Sequence, residues 1–441
     1  MKLTKMSLVA TLLVSSSVFA IENTKMSGDA KLFYSASNFG KSDMFSKDGA
    51  AADAALNLNV SSDLLKNDLV SVNVGAGYSV LSTLGLENNL VSAVWGSAHG
   101  VTTSTGANYG GAFGGAKVEN TSWMNEAWIA ISLNEISHSS LKLGRMKLDT
   151  PLAFTETWSI EENSFEAALV INQDIPDTTL IAGYIGNGNG VETFGQDING
   201  TVIGQKLAAG AVVNEGGKFT TYGKDGAYTL AVINNSYKPL TVQGWFYNVT
   251  HVATAFWMQA DLDANQLGVE GLTAGLQYSG INLTQTNTSA GVYALMAAYN
   301  VKNMFNVKLA YSQVSKNASV GYNTATGGQS KLYTEAWWNY GYITRADTSA
   351  LNLTVKGQLE GYDLGFYFTQ TDSPMKSEQD GSITTKYHDL TEVTLTASRT
   401  FGPLDATVAY VYTDAEDQNI AKNATKGTAY SMLQAYLTVN F

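Results

Sequence analysis

Residues 433–441 read LQAYLTVNF, and apolar side chains occupy every second position, namely Leu433, Ala435, Leu437, Val439 and Phe441. A period of two is typical of a β-strand with one apolar face. In a closed barrel the last strand pairs with the first, because an unpaired edge would leave polar backbone groups facing lipid. We therefore predict that this strand closes a barrel by pairing with DAKLFYSAS at residues 29–37. The terminal ring of Phe441 suits the membrane interface, where aromatic girdles lie.

The same alternation recurs along the chain, for example in AALNLNV at 54–60, LVSVNVGAGYSV at 69–80 and SALNLTVKGQL at 349–359. One face of each segment is apolar, and the other carries small polar residues. A soluble β-sandwich is the alternative, because it also alternates. Charged residues make up only 15% of the chain, and the connections alternate between short and long. Both features favour an outer-membrane barrel with tight periplasmic turns and long external loops.

The predicted fold is an all-β, antiparallel transmembrane barrel of eighteen strands, with sixteen as the alternative. The five prolines fall between the predicted strands, as expected for a residue that cannot donate to a strand ladder. The predicted strands lie near residues 26–37, 50–60, 69–80, 121–134, 141–146, 163–173, 179–186, 227–236, 240–249, 251–263, 272–282, 291–301, 306–315, 349–359, 364–370, 387–401, 406–414 and 429–441.

The first 20 residues, MKLTKMSLVATLLVSSSVFA, contain two lysines, a short apolar run and small residues before Ala20. This pattern predicts a secretory signal peptide, residues 1–20, followed by a single barrel domain, residues 21–441. A membrane anchor is the alternative, but the apolar run is shorter than the roughly 20 residues of a spanning helix. Export and a barrel together predict the outer membrane of a Gram-negative bacterium.

Composition excludes several functions. The formal net charge of −12 argues against nucleic acid as a partner, and the absence of cysteine excludes disulfides and thiolate chemistry. His138 lies beside Ser139 in a predicted turn, which is a weak basis for a hydrolase triad. DLDANQLGVEG, residues 261–271, departs from a calcium loop because its glycine is two places late. We predict no enzyme activity and no cofactor; calcium at the carboxylates of the third loop is the alternative, although no spacing supports it.

The third external loop, residues 147–162, is predicted to fold into the lumen and form a constriction. It combines charged residues with Trp158, and clusters of charge at a constriction set ion preference through the local field. An ordinary solvated loop is the alternative. The candidate constriction residues are Arg145, Lys147, Asp149, Glu156, Glu161 and Glu162.

Residues 141–186 carry a family resemblance. LGRMKLDTPL, followed by NSFEAALVINQDIPDTTLIAGYIG, resembles the OprD-like porins of Campylobacter-type bacteria, including their major outer membrane protein. The matching positions are Gly144, Arg145, Leu148, Asp149, Thr150, Pro151, Leu152, Asn163, Phe165 and Glu166. The resemblance implies an eighteen-stranded barrel, diffusion of small hydrophilic solutes, frequent trimers and a pore-facing Arg145.

Strict alternation predicts which charged side chains face the lumen: Lys31, Glu126, Lys142, Glu166, Lys308, Lys356 and Glu392. Arg145 instead shares the face of Leu141 and Leu143, so only a bulge or a strand end would turn it inward. The wall is nearly balanced in charge, and the acidic third loop shifts the prediction toward weak cation selectivity.

The sequence therefore predicts a passive diffusion channel for small hydrophilic solutes and ions, embedded in outer-membrane lipid and assembled as a homo-oligomer. Two hypotheses of other classes remain. One is an adhesin or surface-binding barrel whose long loops engage a partner. The other is a barrel enzyme that depends on His138.

Overall fold

The structure is a computed structural model. It describes residues 22–41, 43–46, 49–82, 93–94, 108–109, 112–114, 121–158, 160–189, 219–223, 225–284, 286–302, 304–325, 328–373, 377–379, 382–385, 389–420 and 426–441. The predicted signal peptide, residues 1–20, lies outside the described residues. In the described part of the chain, no helix has the length and apolar character needed to cross a membrane.

Eighteen long strands form one antiparallel barrel, and each predicted strand overlaps an observed one. We number them β1 to β18: Glu22–Ser37, Ala50–Lys66, Val70–Ser82, Thr121–Leu133, Ser139–Met146, Phe165–Asn172, Thr178–Gly188, Ala227–Asn234, Leu240–Val249, Ala253–Asp263, Leu272–Leu283, Thr288–Val301, Phe305–Val314, Ser349–Leu359, Tyr362–Asp372, Leu390–Phe401, Leu404–Ala415 and Tyr430–Asn440. Shorter strand pairs lie in the loops, for example Ser377–Gln379 with Ser382–Thr385.

The barrel closes between its first and last strands. β1 and β18 pair antiparallel from Asp29 opposite Asn440 to Ser37 opposite Met432. Beyond β18, Gly28 and Phe441 exchange two backbone hydrogen bonds, of 2.8 and 3.0 Å. The predicted closure is confirmed, and it leaves neither edge strand exposed to lipid.

Connections are short on one side of the barrel and mostly long on the other, where loops 5 and 6 are the short exceptions. Eight short turns, of two to eight residues, lie on one side: 67–69, 134–138, 173–177, 235–239, 264–271, 302–304, 360–361 and 402–403. Nine connections on the other side are called loops 1 to 9: 38–49, 83–120, 147–164, 189–226, 250–252, 284–287, 315–348, 373–389 and 416–429. Short turns are periplasmic and long loops extracellular in outer-membrane barrels, which fixes the orientation used below.

The outer face of the barrel is apolar and the inner face is largely polar. Leu58 and Leu437 lie on the outside and are exposed, as predicted from the alternation. The inward neighbours of Leu58 include Asn57, which is buried in a hydrogen-bonded group with Ser79 and Asn125. A wall that is apolar outside and polar inside is what a membrane-spanning barrel requires.

Candidate functional site: the lumen and two inserted loops

Loop 7, residues 315–348, enters the barrel and binds its inner wall. The backbone N–H of Tyr333 donates to the Gln277 side chain on β11 at 3.1 Å, and that side chain donates to the Lys331 carbonyl at 2.9 Å. The ammonium group of Lys308 on β13 donates to the Tyr333 carbonyl at 2.7 Å. The Tyr333 hydroxyl donates to Asp261 on β10. Strands β10, β11 and β13 therefore hold this part of loop 7.

The next residues of loop 7 reach strands β16 and β17. The backbone N–H groups of Trp338 and Asn339 donate to the two carboxylate oxygens of Glu392, at 3.0 and 2.7 Å. The Asn339 side chain donates to Glu392 at 2.8 Å and to Thr413 at 3.0 Å. Loop 7 is thus fixed to the wall at two places that lie several strands apart.

Loop 3, residues 147–164, also folds inward. Leu152, Ala153 and Phe154 are buried. Leu152 and Ala153 belong to an apolar cluster with inward-facing aromatic residues of β9 and β10, namely Trp245, Tyr247 and Trp257. The backbone turns back on itself through an Asp149–Phe154 bridge. An apolar inner wall at β9 and β10 is therefore covered by a loop and is not exposed to water.

Loops 3 and 7 bind each other inside the barrel. The Asn323 side chain donates to the Phe154 carbonyl at 2.7 Å and accepts from the Phe154 N–H at 3.2 Å. It also donates to the buried carboxylate of Glu156 at 2.9 Å, which accepts the backbone N–H of Gln329 at 2.9 Å. Because each loop supplies hydrogen-bond partners to the other, the two loops form one inserted unit.

The predicted constriction residues of loop 3 occupy different surroundings. Glu156 is buried at the junction with loop 7, and Asp149 forms an ion pair with Lys331 of loop 7. Lys147 forms an ion pair with Glu162, and both side chains keep part of their surface exposed. The side chains of Trp158 and Glu161 lie outside the described residues. Of the predicted constriction residues in loop 3, the structure therefore pairs Lys147 with Glu162.

Several predicted lumen residues lie on one arc of the inner wall, on β1, β4 and β5. Lys31 lies 3.5 Å from Asp29, measured from the ammonium nitrogen to a carboxylate oxygen. The ammonium of Lys142 lies 4.2 Å from the centre of the Trp128 ring, and the Trp128 indole donates to Glu126 at 3.1 Å. This arc presents acidic and basic side chains in alternation.

The remaining predicted lumen residues lie across the barrel. Lys308 on β13 and Glu392 on β16 both bind loop 7, as described above, so they serve as anchors for the inserted loop. The ammonium of Lys356 on β14 lies 5.7 Å from the centre of the Tyr367 ring. Lys308, Glu392 and Lys356 face the inside of the barrel, because they contact the inserted loop or an inward-facing neighbour.

Arg145 and Glu166 differ from the expectations placed on them. Phe165 is buried inside the barrel, so Glu166 points outward, on the same face as the exposed Val170. Arg145, opposite Glu166 in the β5–β6 ladder, binds it at 2.6 Å on this outer face. The pore-facing position implied for Arg145 and the inward position predicted for Glu166 are both replaced by an outer-face ion pair. The reason is that Phe165 packs inside the barrel in the apolar cluster of loops 3 and 4, which includes Leu152 and Tyr222, so the face of β6 without charge turns inward.

The sequence reasoning missed loop 7 and two acidic residues of the inner wall, Asp29 and Asp261. A signal for loop 7 exists in the sequence, because residues 333–342 contain five aromatic side chains, namely Tyr333, Trp337, Trp338, Tyr340 and Tyr342. Such a density is unusual for a solvated loop, since large apolar rings need partners. In the structure these residues pack within the barrel, as in the contact of Trp337 with Tyr367, whose ring centres are 4.8 Å apart.

Loop 7 also carries a carboxyl group, that of Glu335, whose pKa differs from the usual value. Burial raises the pKa of Glu335 well above its usual range, and the nearby charges of Glu156 and Glu392 raise it further. Hydrogen bonds donated by the Ser330 N–H and hydroxyl oppose this effect. The protonation of Glu335 is therefore sensitive to the position of loop 7.

The turn around His138 has a structural role. Its backbone N–H donates to Asp174 at 2.6 Å, and the Ser137 hydroxyl donates to the same carboxylate at 2.7 Å. Hydrogen bonds from Ser137, His138 and Asn172 lower the pKa of Asp174 to about 2. The Ser137 hydroxyl is engaged by Asp174, and not by the imidazole as a nucleophile would be. In the ranges given above, no three His, Cys, Asp or Glu side chains are arranged to hold a metal ion.

Comparisons with known proteins agree with this architecture. No family model and no curated protein matches the chain. Among solved structures, OpdK of Pseudomonas aeruginosa crystallised with vanillate is 11% identical, with a TM-score of 0.68 over 96% of this chain and 99% of that chain. OccAB1 of Acinetobacter baumannii is 13% identical, with a TM-score of 0.68 over 97% and 98%. A BenF-like porin from Pseudomonas fluorescens Pf-5 is 9% identical, with a TM-score of 0.68 over 96% and 100%. In fold, the chain is similar to these porin-type barrels of Gram-negative bacteria along nearly its whole length.

Proposed function

We propose that this protein is an outer-membrane porin, a passive channel through which small hydrophilic solutes and ions diffuse. The observation that carries the proposal is the insertion of loops 3 and 7 into a closed eighteen-strand barrel. An adhesin needs its long loops outside the barrel, where a partner can reach them. A channel needs them inside, where they narrow the path.

Such a barrel selects the solutes that pass through it by their size and by their charge. The joined loops 3 and 7 reduce the cross-section, so solutes larger than the remaining opening are excluded. The solutes that pass meet a wall of alternating charge, formed by Lys31, Glu126, Lys142 and the pair Lys147–Glu162. Ionic side chains at a narrow point act on permeating ions through the local field. We propose weak cation selectivity, because of the acidic composition of the chain.

Two finer statements belong to the same proposal. The residue matches at 141–186 support an OprD-like porin of the Campylobacter-type group, and the fold similarity to OpdK and the BenF-like porin agrees with the OprD-like part. Assembly as a homo-oligomer, with three copies, is proposed from the same resemblance. No catalytic step and no cofactor is required for passive diffusion.

Conductance across a planar lipid bilayer tests the channel proposal. Purified, detergent-solubilised protein should produce stepwise, ohmic current increases, and a salt gradient should give a reversal potential of the sign expected for cation preference. A bilayer that stays silent, while the same sample binds cells or surfaces through its loops, would support the adhesin. Loss of an esterase activity on replacing His138 would support the enzyme.

A further inference from the structure

The outer face of the barrel carries a groove at its extracellular end, across strands β9 to β13. The groove has a volume of about 590 Å³ and lies beside loops 5 and 6, the two shortest external loops. Phe256 on β10 points outward into it, because the neighbouring side chains of Ala255 and Trp257 are buried inside the barrel. Tyr278 on β11 and Tyr293 on β12 also line the groove and are exposed. The groove therefore opens toward the membrane and not toward the lumen.

Two glycines form the floor of this groove. Gly280 on β11 and Gly291 on β12 lie directly opposite each other in the antiparallel ladder. The ring of Phe256 covers Gly280, since a Cβ at that position would lie 2.5 Å from a ring carbon. A Cβ at Gly291 would meet no atom closer than 3.5 Å, so the space above this residue is open. Three aromatic rings bound that space, those of Phe256, Tyr278 and Tyr293.

A row of neutral polar side chains borders the groove on its extracellular side. Thr254, Asn282 and Ser289 lie opposite one another on β10, β11 and β12, near the external ends of these strands. The Ser289 hydroxyl donates to the amide oxygen of Asn282 at 3.2 Å. Asn317 of loop 7 also lines the groove, and its side chain donates to the Ser289 carbonyl at 3.0 Å. Hydroxyl and amide groups are thus gathered at this border.

The same strands become aliphatic toward the middle of the membrane. Leu276 on β11 and Leu295 on β12 are paired and exposed on the outer face. Each lies four residues from the glycine of its strand, which is about 13 Å along a β-strand. From the extracellular end inward, the outer face therefore presents polar groups, then aromatic rings around an open space, then aliphatic side chains. A lipid with a polar headgroup and acyl chains has its groups in the same order.

We propose that this groove binds a glycolipid of the outer leaflet, with an acyl chain over Gly291 and sugar hydroxyls against the polar row. The described residues that line the groove include no charged side chain, whereas recognition of a phosphate headgroup relies on Lys or Arg. Amide and hydroxyl side chains both donate and accept hydrogen bonds, as sugar hydroxyls require. A mostly apolar cleft with a few polar groups at one side is the usual form of a small-ligand site.

The position of the groove favours a lipid over a soluble saccharide. Its aromatic rings lie near the extracellular ends of the strands, where a barrel meets the lipid–water interface. Loops 5 and 6 comprise residues 250–252 and 284–287, so the polar row is bordered by short connections where most other external connections are long. Headgroups of the outer leaflet therefore have access to this row, and the open space below it faces the acyl chains.

Native mass spectrometry of the folded, detergent-solubilised protein tests this proposal. Lipid-depleted protein is titrated with short-core lipopolysaccharide, with phosphatidylethanolamine, and with the core oligosaccharide that lacks acyl chains. The test variant is Gly291→Leu, which fills the open space without meeting a close backbone atom. The control variant is Gly244→Leu on β9, an outward position outside the groove whose Cβ would meet no atom closer than 3.9 Å. Heat-modifiable gel mobility confirms that each variant is folded.

The wild type and Gly244→Leu should bind lipopolysaccharide equally well. Gly291→Leu should bind it about tenfold more weakly, which corresponds to the loss of about two buried methylene groups. Unchanged affinity in Gly291→Leu would overturn the proposal. Equal affinity of the wild type for phosphatidylethanolamine would show a non-selective lipid contact, and equal affinity for the oligosaccharide would show a site for soluble saccharides; either result also overturns it.

A second variant, Asn282→Ala with Ser289→Ala, separates the polar row from the open space. It should weaken binding of lipopolysaccharide and leave binding of phosphatidylethanolamine unchanged. If Gly291→Leu does not fold, this double variant decides, and lipopolysaccharide binding equal to that of the wild type would then contradict the proposal. Lipid binding is measured without any current, so the outcome is independent of whether the barrel proves to be a channel.

Discussion

Glu392 on β16 holds Asn339 of loop 7 through two hydrogen bonds to the same carboxylate oxygen, 2.7 Å from the backbone nitrogen and 2.8 Å from the side-chain nitrogen. A residue of the barrel wall thus fixes a loop that begins at residue 315, 24 residues before Asn339. The carboxylate is buried, and its hydrogen-bonding capacity is used by the loop. The position of loop 7 in the lumen therefore depends on this contact.

Replacing Glu392 with alanine should release this part of loop 7. Three donors of Trp338 and Asn339 lose their acceptor, and hydrogen bonds to charged groups contribute about 1.5–3 kcal/mol each. We expect a larger mean single-channel conductance and more current noise than in the wild type. Glu270→Ala is the matched control, because Glu270 lies in an exposed ion pair of a periplasmic turn. Identical current traces for Glu392→Ala and the wild type would show that loop 7 does not limit the pore.

Gly275 on β11 leaves room for the ring of Tyr333. A Cβ at position 275 would lie 2.3 Å from the Tyr333 hydroxyl oxygen, so Gly275→Ala must displace the ring and break its contact with Asp261. Overpacking of this kind typically costs about 1–3 kcal/mol. We expect a changed conductance and faster protease cleavage within loop 7. Gly244→Ala on β9 is the control, since its Cβ would meet no atom closer than 3.9 Å, and it should behave as the wild type. The same cleavage rate in both variants would contradict the close packing of Tyr333.

The Lys147–Glu162 pair should influence ion preference. Removing Glu162 with Glu162→Gln leaves Lys147 uncompensated and should favour anions, whereas Lys147→Gln should favour cations. Unit charges 4 Å apart in water interact by about 1 kcal/mol, so each permeability ratio should change by roughly fivefold or less. Reversal potentials in a gradient of dilute salt measure the effect, with Lys302→Gln in a periplasmic turn as control. Shifts of the same sign in both variants would show that this pair does not line the path.

Protonation of Glu335 should make the position of loop 7 sensitive to pH. Its pKa is raised in the folded protein, so the docked loop binds the proton more tightly than a released loop does. Docking is therefore most stable when Glu335 is protonated, and weakens as pH rises from the usual glutamate pKa, about 4.3, through the raised value. We expect current noise to increase across this range.

The variant Glu335→Gln should remove this pH dependence, because its side chain stays neutral. Noise that increases equally with pH in Glu335→Gln and in the wild type would assign the effect to another group. Glu270→Gln is a suitable control, since Glu270 forms an exposed ion pair with Lys302 in a periplasmic turn, at the opposite end of the strands from the loops.

The barrel wall could be predicted from the sequence because its rule is local. Each strand shows a period of two, and the strand ends are marked by turns, so all eighteen predicted segments overlap observed strands. Closure could be predicted because an unpaired strand edge would expose polar backbone groups to lipid. The observed pairing of Phe441 with Gly28 agrees with this prediction. These features need no knowledge of distant contacts.

The interior could not be predicted in the same way, because it depends on which loop enters the barrel. β6 is apolar on both faces, so alternation cannot decide whether Phe165 or Glu166 points inward. The choice is made by the apolar cluster in which Phe165 packs with residues of loops 3 and 4. Likewise, nothing local identifies Glu392 as the acceptor for Asn339. The partners are 53 residues apart and meet only after loop 7 has folded inward.

Solute flux into liposomes tests the central claim most directly. Proteoliposomes containing the purified protein should swell in small uncharged sugars, and the swelling rate should decrease steeply as sugar size increases, because loops 3 and 7 narrow a water-filled barrel. Glu392→Ala should admit larger sugars than the wild type. Proteoliposomes that do not swell in any sugar, although gel mobility shows that the protein is folded, would contradict an open lumen and with it the proposed porin function.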